Sequence, residues 1–158
     1  MEAISRKMLR QSVTLFSPYQ REGRRAAVRT LLRHVRFGTA RVNEAVTVQG
    51  RRRTFVWRLL VDRRSTIGLD PEGGRKPYVP PEEWALLAPG AKEAVWTMNT
   101  GDWAYALPGN MSASCPPWDP ETEREQEFRQ RHALKTVAEI VPVIDEDGTI
   151  HHWKVLLD

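Results

Sequence analysis

The stretch Ala94–Leu107 reads AVWTMNTGDWAYAL and places a short apolar run on either side of Asn-Thr-Gly-Asp. Gly101 can adopt the positive φ that a tight reversal requires. After the turn, Trp103 and Tyr105 share one face, while the alanines that alternate with them take the other. Alternation with a period of two around a Gly-Asp turn predicts a β-hairpin. Because an isolated hairpin is marginal in water, we place this one at the centre of a small β fold.

Length and composition favour one globular domain. The chain has 158 residues, of which 41% are apolar, and six tryptophans, so it can bury a proper core and is not disordered by composition. A single cysteine, Cys115, excludes an intramolecular disulfide and fits a reducing compartment. The basic N-terminus lacks the apolar segment of a signal peptide, and no apolar run is long enough to span a membrane. We therefore expect a soluble protein made in the cytoplasm, with no membrane partner.

Charge is distributed unevenly along the chain. The formal net charge is +4, but sixteen Lys or Arg and only three acids lie between Arg6 and Arg64, whereas Asp119–Glu127 is acidic. A basic half and an acidic segment are compatible with nucleic acid nearby, or with head-to-tail self-association through opposite charges. A solvated surface without any partner explains the same pattern equally well.

Several segments have the period of a strand. Thr54–Asp62 is the strongest, because Phe55, Trp57, Leu59 and Val61 alternate on one face. Shorter or weaker strands are expected at Val13–Phe16, Ala40–Val48, Ala133–Val143 and Thr149–Leu157, the last two joined by an Asp-Gly turn.

Short helices are expected after Pro81, which suits a first helical position, and within Glu121–Arg131, where Glu127 and Arg131 have the spacing of an ion pair. One segment remains ambiguous. Ala26–Phe37 fits either a basic amphipathic helix, attractive for DNA, or a strand in which Arg33 breaks the alternation.

The connections are long and charged. Arg51–Arg53 lies between two expected strands and is interpreted as a basic loop tip, which either grips phosphate or is simply solvated. Residues 63–79 form a long connection rich in Gly and Pro, and residues 108–131 form a second excursion. Loops of this length in a compact domain are usually functional, mobile or part of an interface. The chain is interpreted as one β-rich domain, 1–158, with an N-terminal arm at 1–11.

No catalytic constellation is recognisable. His151 and His152 are neighbours on an expected strand, so they should point to opposite faces and cannot both ligate one metal simply; we expect them to face solvent. Cys115 has no histidine nearby in sequence, and Asp102 is better interpreted as a turn residue than as a general base. Phosphate-binding glycine loops and nucleophile motifs are absent. We predict no enzyme, no cofactor and no metal.

Four short motifs occur in an order that resembles a known family: Thr30–Phe37 (TLLRHVRF), Tyr78–Trp84 (YVPPEEW), Trp96–Asp102 (WTMNTGD), and Thr136-Val137 followed by His152–Val155 (HWKV). They resemble small structural proteins of tailed bacteriophages that infect Gram-positive-type bacteria, known as minor capsid or head–tail connector proteins. The resemblance covers about residues 12–157. Two departures are the acidic turn Asp145–Gly148, where the family has Asn-Arg-Arg-Gly, and a longer segment at 112–130.

The resemblance implies a head-closure (stopper) connector in the neck of the virion. Such a subunit forms a homo-oligomeric ring of sixfold or twelvefold symmetry between the portal or adaptor and the tail, and it seals the channel that holds packaged DNA. It also implies that Ala26–Phe37 is a strand. The alternatives are a tail terminator or another neck or minor capsid protein and, in a different class, a basic nucleic-acid-binding module that uses Ala26–Phe37 as a helix. An enzyme that uses Cys115 ranks last.

The fold class expected is mainly β: a small barrel or sandwich of about seven to eight strands with one or two short helices and long interface loops. Aromatic residues interleaved with arginines could bind a single strand of nucleic acid, but strand-spaced aromatics usually form the core. The expected core aromatics are Phe55, Trp57, Trp96, Trp103 and Trp153. The candidate contacts to channel DNA or to a neighbouring subunit are Arg51, Arg52, Arg53, Arg63, Arg64, Arg75, Lys76, Glu121, Glu123 and Glu125.

Overall fold

The computed structural model describes residues 4–39, 45–48, 51–54, 57–107 and 113–158. These residues form ten strands and three short helices. The strands are β1 (Gln11–Arg21), β2 (Arg24–Thr39), β3 (Ala45–Val48), β4 (Arg51–Thr54), β5 (Trp57–Asp62), β6 (Ile67–Leu69), β7 (Arg75–Lys76), β8 (Trp103–Tyr105), β9 (Lys135–Ile144) and β10 (Ile150–Leu157). The helices are α1 (Pro81–Ala85), α2 (Pro89–Glu93) and α3 (Glu125–Arg131), and a 3-10 turn covers Arg6–Met8.

Six of the strands close into a barrel. The order is β1-β8-β9-β10-β5-β2, and β2 returns to pair with β1. Strands β6 and β7 continue from β2 as an extension of the same sheet, whereas β3 and β4 form a separate two-stranded sheet. The expectation of a mainly β fold with a small barrel is confirmed.

Strands β1 and β2 form a long hairpin that decides how Ala26–Phe37 folds. Its turn has positive φ at Glu22 (52°) and Gly23 (75°), the geometry that matches the twist of paired strands. The segment is therefore a strand, and the helical alternative for it is wrong. The alternation breaks at Arg33 because the register with β1 shifts there and His34 adopts a φ of 61°, which marks a β-bulge.

The hairpin predicted for Ala94–Leu107 is wrong, although its turn forms. Gly101 has a φ of 90°, but the residues before the turn do not pair with those after it. Trp96 instead makes a single parallel bridge with Tyr78, and β8 pairs with β1 and β9. The apolar side chains of both runs find partners elsewhere in the fold, so local alternation did not determine local pairing.

Three apolar clusters stabilise the described part of the chain, and the third packs Trp84 of α1 against Tyr19 and Val28. The first fills the interior and includes Leu59, Val61, Trp96 and Trp153. The second lies between β1, β8 and α3 and includes Trp103, which is fully buried. Trp57 is half-buried and stacks on Phe37, with ring centroids 5.1 Å apart, while Phe55 lies outside the described residues.

The paired strands at the end of the chain and the helix after Pro80 form as the sequence predicts. Strands β9 and β10 are antiparallel neighbours, with Trp153 opposite Pro142 and Val155 opposite Ile140. Helix α1 begins at Pro81 and buries Trp84. Residues 63–79 are less irregular than expected, because they contain β6 and β7.

Candidate functional site

Strands β8 and β9 of the barrel are hydrogen-bonded over only part of the length of β9. The ladder has two residue pairs, Trp103–Thr136 and Ala104–Lys135. Val137 then donates its N–H to the carbonyl of Asp102 and accepts from the N–H of Gly101, both at 2.8 Å. Beyond this point β9 has no strand on that side among the residues that the structure describes. We call residues 138–144 of β9 the open edge.

The register with β10 tells which backbone groups the open edge presents. Pro142 lies opposite Trp153 and has no N–H, so its nitrogen belongs on the open side, where proline is tolerated in a sheet. Ile140 is two residues away with no register shift between them. It therefore directs both its N–H and its C=O toward the open side. These are the groups that a further strand would use.

A groove runs along the open edge. It has a volume of about 630 Å³ and lies between β9, the start of β10 and the segments around Tyr78 and Met98. Tyr78 and Trp153 contact each other there, with ring centroids 5.0 Å apart. The residues that line it are Arg63, Tyr78, Pro80, Pro81, Glu82, Met98, Asn99, Thr100, Ala138, Glu139, Ile140, Pro142, Ile150 and Trp153. We call this the seam groove.

The seam groove contains one carboxylate oxygen without a hydrogen-bond donor, and its strand β9 carries exposed apolar side chains outside the groove lining. The Oε2 atom of Glu139 is buried, and no donor among the described residues bonds to it. Glu82 adds a second acid to the lining, against one cation, Arg63. Val141 and Ile144 on the same strand are 38% and 48% exposed. A partner that supplies a cation, backbone hydrogen bonds and apolar contact would satisfy all three features.

Asp102 stabilises the turn at Asn99 and Thr100, which lines the side of the groove across from β9. Its Oδ2 accepts hydrogen bonds from the N–H of Asn99 at 2.9 Å and from Ser17 Oγ at 3.0 Å. Burial raises the pKa of this carboxyl to about 7, against these two bonds, which favour the ionised form. The carboxyl fixes the turn that carries Asn99 and Thr100, as expected of a turn residue.

The arginines at 51–53 lie in a strand and not in a loop tip, as the sequence had suggested. They belong to β4, which pairs with β3 from Ala45–Thr54 to Val48–Arg51. Neither strand pairs with the barrel within the described residues. In the sequence the hairpin lies between Thr39 at the end of β2 and Trp57 at the start of β5, which are paired with each other. The basic segment is thus carried on a two-stranded arm.

The other basic candidates differ in what they offer a partner. Arg63 and Arg64 are exposed just after β5, and Arg64 lies 3.6 Å from Asp145. Arg75 is exposed, but its neighbour Lys76 is not a surface contact. Lys76 is 5% exposed and donates to Thr30 Oγ1 at 2.9 Å, and burial lowers its pKa to about 8. An alternating strand buries one of two consecutive residues, and here it is the lysine.

Two of the three acidic candidates are paired within the chain. Glu123 accepts two hydrogen bonds from Arg131, at 2.7 and 2.8 Å, and Glu125 accepts one from Arg25. Glu121 is exposed. Arg131 therefore pairs with Glu123, which lies in the turn before α3, and not with Glu127 as the spacing suggests.

His151 and His152 do not point to opposite sides. Their Nδ1 atoms are 2.8 Å apart, and His151 is 2% exposed, so the expectation of solvent-facing rings is wrong for His151. The register with β9 shifts between Ile150 and His152, and such a bulge brings successive side chains toward the same side. No cluster of three or more metal-ligating side chains occurs in the described part of the chain.

Cys115 is also unlike an activated nucleophile. The residue is 1% exposed, and burial raises the pKa of its thiol to about 11. A nucleophilic cysteine requires the thiolate, which this buried environment disfavours.

None of the described helices is both long and apolar enough to cross a membrane.

Sequence reasoning missed the seam groove and Glu139. The sequence contains one signal of the open edge, because a proline inside a strand pattern marks an edge strand. Pro142 lies in such a pattern.

Comparison with models of protein families, with curated proteins and with solved structures finds no match to this chain. The resemblance to phage connector proteins therefore stays a prediction.

Proposed function

We propose that this chain is a head-closure subunit of a tailed-phage connector, which assembles as a ring between the portal or adaptor and the tail and seals the DNA channel. The observation that carries the proposal is the basic β3–β4 hairpin, which forms a sheet of its own beside the sheet of the closed barrel among the described residues. A closed barrel has few edges and makes a rigid body. A two-stranded hairpin is marginal alone in water, so an arm of this kind is expected to order against a neighbour or against DNA.

The charges of the arm suit either neighbour. Arg51, Arg52 and Arg53 are consecutive on β4, so this strand carries three positive charges in a row. Such a run of positive charge can pair with acids of an adjacent subunit or with the phosphates of channel DNA. A ring of identical subunits uses a heterologous interface, in which two different surfaces of the chain meet.

The fold favours neither of the two alternative hypotheses, the tail terminator and the nucleic-acid-binding module. Tail terminators tend to be α/β, whereas this chain has only three short helices among its described residues. The nucleic-acid module required Ala26–Phe37 to be a helix, and that segment lies in β2.

The test is made in the phage that encodes the chain. Deleting the coding sequence should give heads that fill with DNA, fail to keep it and do not join tails, and the full chain supplied in trans should restore particles. Immunogold labelling of intact particles should locate the chain at the neck. Normal infectious particles without the chain, or labelling confined to the tail tip or the shell, would refute the proposal.

A further inference from the structure

Two incomplete sheets in this molecule are complementary. The open edge of β9 presents unpaired backbone groups at Ile140, and the hairpin of β3 and β4 has outer edges with no partner strand among the described residues. Unpaired strand edges are templates for pairing with another chain. Each of the two edges can therefore supply the backbone hydrogen bonds that the other lacks among the described residues.

We infer that the open edge of β9 is the docking site for the β3–β4 hairpin of a second copy of this chain. The added strand exchanges backbone hydrogen bonds with Ile140, and an arginine of 51–53 pairs with Glu139. This inference rests on the proposed ring for its biological setting, and it names the contact that joins neighbouring subunits.

The electrostatic part of the inference comes from one buried carboxylate oxygen of the partly exposed Glu139. Glu139 Oε2 is out of contact with water and receives no hydrogen bond from the described residues. A buried acceptor in this condition is unfavourable until a donor reaches it, and a guanidinium satisfies a carboxylate best. Glu82 lines the same groove, and Glu83 is exposed beside it on α1. An arginine-rich strand therefore fits this groove better than an acidic or neutral one.

The apolar part of the inference comes from the same strand. Val141 and Ile144 are two of the four large apolar side chains with high exposure among the described residues. β3 has the sequence AVTV, in which two valines alternate with the small residues Ala45 and Thr47 at strand spacing. A hairpin laid along the edge can bring one strand into backbone pairing and cover part of this apolar surface.

The geometry favours a different copy over the same chain. Within one chain the hairpin and β9 belong to separate sheets. The hairpin is joined in sequence to Thr39 and Trp57, which pair at the start of the six-residue strand β5, whereas the groove is lined by Arg63 just past the other end of that strand. That strand is roughly 17 Å long. Contacts between opposite ends of successive copies are heterologous, which is the type that generates a ring.

The first experiment is photo-cross-linking of the full chain with a photoreactive amino acid in place of Val141, which is exposed on the open edge. Equal parts of isotopically heavy and light protein are mixed at concentrations up to about 1 mM, the range in which even weak contacts form. A cross-link from position 141 to residues 45–54 of the other isotope form supports the inference. Cross-links within one copy, cross-links to the N-terminal arm or to any other segment, or no cross-linked dimer at all would overturn it.

The second experiment measures self-association of charge variants by sedimentation velocity. R51E/R53E and Glu139→Gln should each weaken association about tenfold, since each removes one side of a charged pair. The matched control is R33E/R36E, which changes the net charge by the same amount on exposed positions of β2. Equal weakening by the control would show a general charge effect and overturn the inference. Circular dichroism checks that each variant keeps its fold.

The same cross-link in purified phage particles separates this inference from the proposed function. A chain found at the neck whose position 141 does not reach a neighbour's hairpin keeps the function and overturns the contact. A chain absent from the neck that still forms the cross-link in solution keeps the contact and overturns the function.

Discussion

The barrel has one wall that is paired along its whole length and one seam that is barely paired. Strands β1 and β2 match residue for residue from Arg21–Arg24 back to Gln11–Val35, with one bulge. Strands β8 and β9 share two pairs, after which the chain separates and leaves the seam groove. The wall buries its apolar face and uses its backbone groups internally. The seam keeps backbone groups, a carboxylate and apolar side chains that no described residue satisfies, and these are the properties of an interface.

The largest test of this contrast removes a side chain from β5, which unlike the seam is paired on both sides, with β2 and with β10. Leu59 is fully buried in the interior cluster, so Leu59→Ala loses apolar contacts and leaves a cavity. We expect the free energy of unfolding to fall by about 3 kcal/mol. The control is Leu60→Ala, one residue along on the outward and half-buried face, which should lower it by about 1 kcal/mol or less. Equal losses in urea unfolding would mean that the two faces of β5 are not distinguished as described.

The next test measures how stability depends on the protonation of Asp102, which stabilises the turn beside the seam groove. The folded pKa of Asp102 is about 7, above the unfolded value of 3.8, so the folded state binds more protons between these values. Stability should therefore fall as the pH rises through this range, by about 2 kcal/mol between pH 5 and pH 7. Asp102→Asn keeps the shape without the titration and should flatten the pH dependence of urea unfolding. An unchanged slope in this variant would assign the effect to another group.

A third test probes the packing behind the groove. A Cβ placed on Gly68 would lie 2.4 Å from Cδ1 of Trp96, whose ring packs against Tyr78 of the groove lining. Gly68→Ala should therefore lower the free energy of unfolding by about 1.5 kcal/mol, because the indole must shift. Gly38→Ala is the matched control, since nothing lies within 4 Å of its Cβ, and it should be neutral or slightly stabilising. Thermal unfolding of the pair measures the difference.

The contrast between wall and seam also explains how far the sequence could be interpreted. Strands such as Trp57–Asp62 and Ile150–Leu157 follow from alternation, and α1 follows from Pro81 and the acids after it. Alternation identifies which face of a strand is buried, but it does not name the neighbouring strand. For this reason the alternation before Gly101 predicts a hairpin with β8, whereas in the structure Trp96 bridges to Tyr78 and packs in the interior cluster of the barrel.

The site was harder to predict than the fold because it depends on long-range register. The meeting of His151 and His152 requires a bulge that no local pattern encodes. The burial of Lys76 depends on Thr30, a residue far away in sequence. The open edge exists because β8 begins only at Trp103 while the antiparallel β9 continues past Thr136 to Ile144, and the lengths of two paired strands are not readable from either one alone.

The smallest expected effect separates the seam from the wall most sharply, because stability and assembly should move in opposite directions. In the isolated chain the buried and unpartnered Oε2 of Glu139 is unfavourable, so Glu139→Gln should raise the free energy of unfolding by about 0.5 kcal/mol. The matched control, Glu146→Gln, removes the same charge from an exposed turn and should change it by no more than about 0.3 kcal/mol. Unfolding is measured at low protein concentration, where copies are apart. If Glu139→Gln stabilises the monomer and weakens self-association, the carboxylate is kept for a partner. If it destabilises the monomer, Glu139 has a structural role in the seam, and the contrast between wall and seam would no longer hold at this residue.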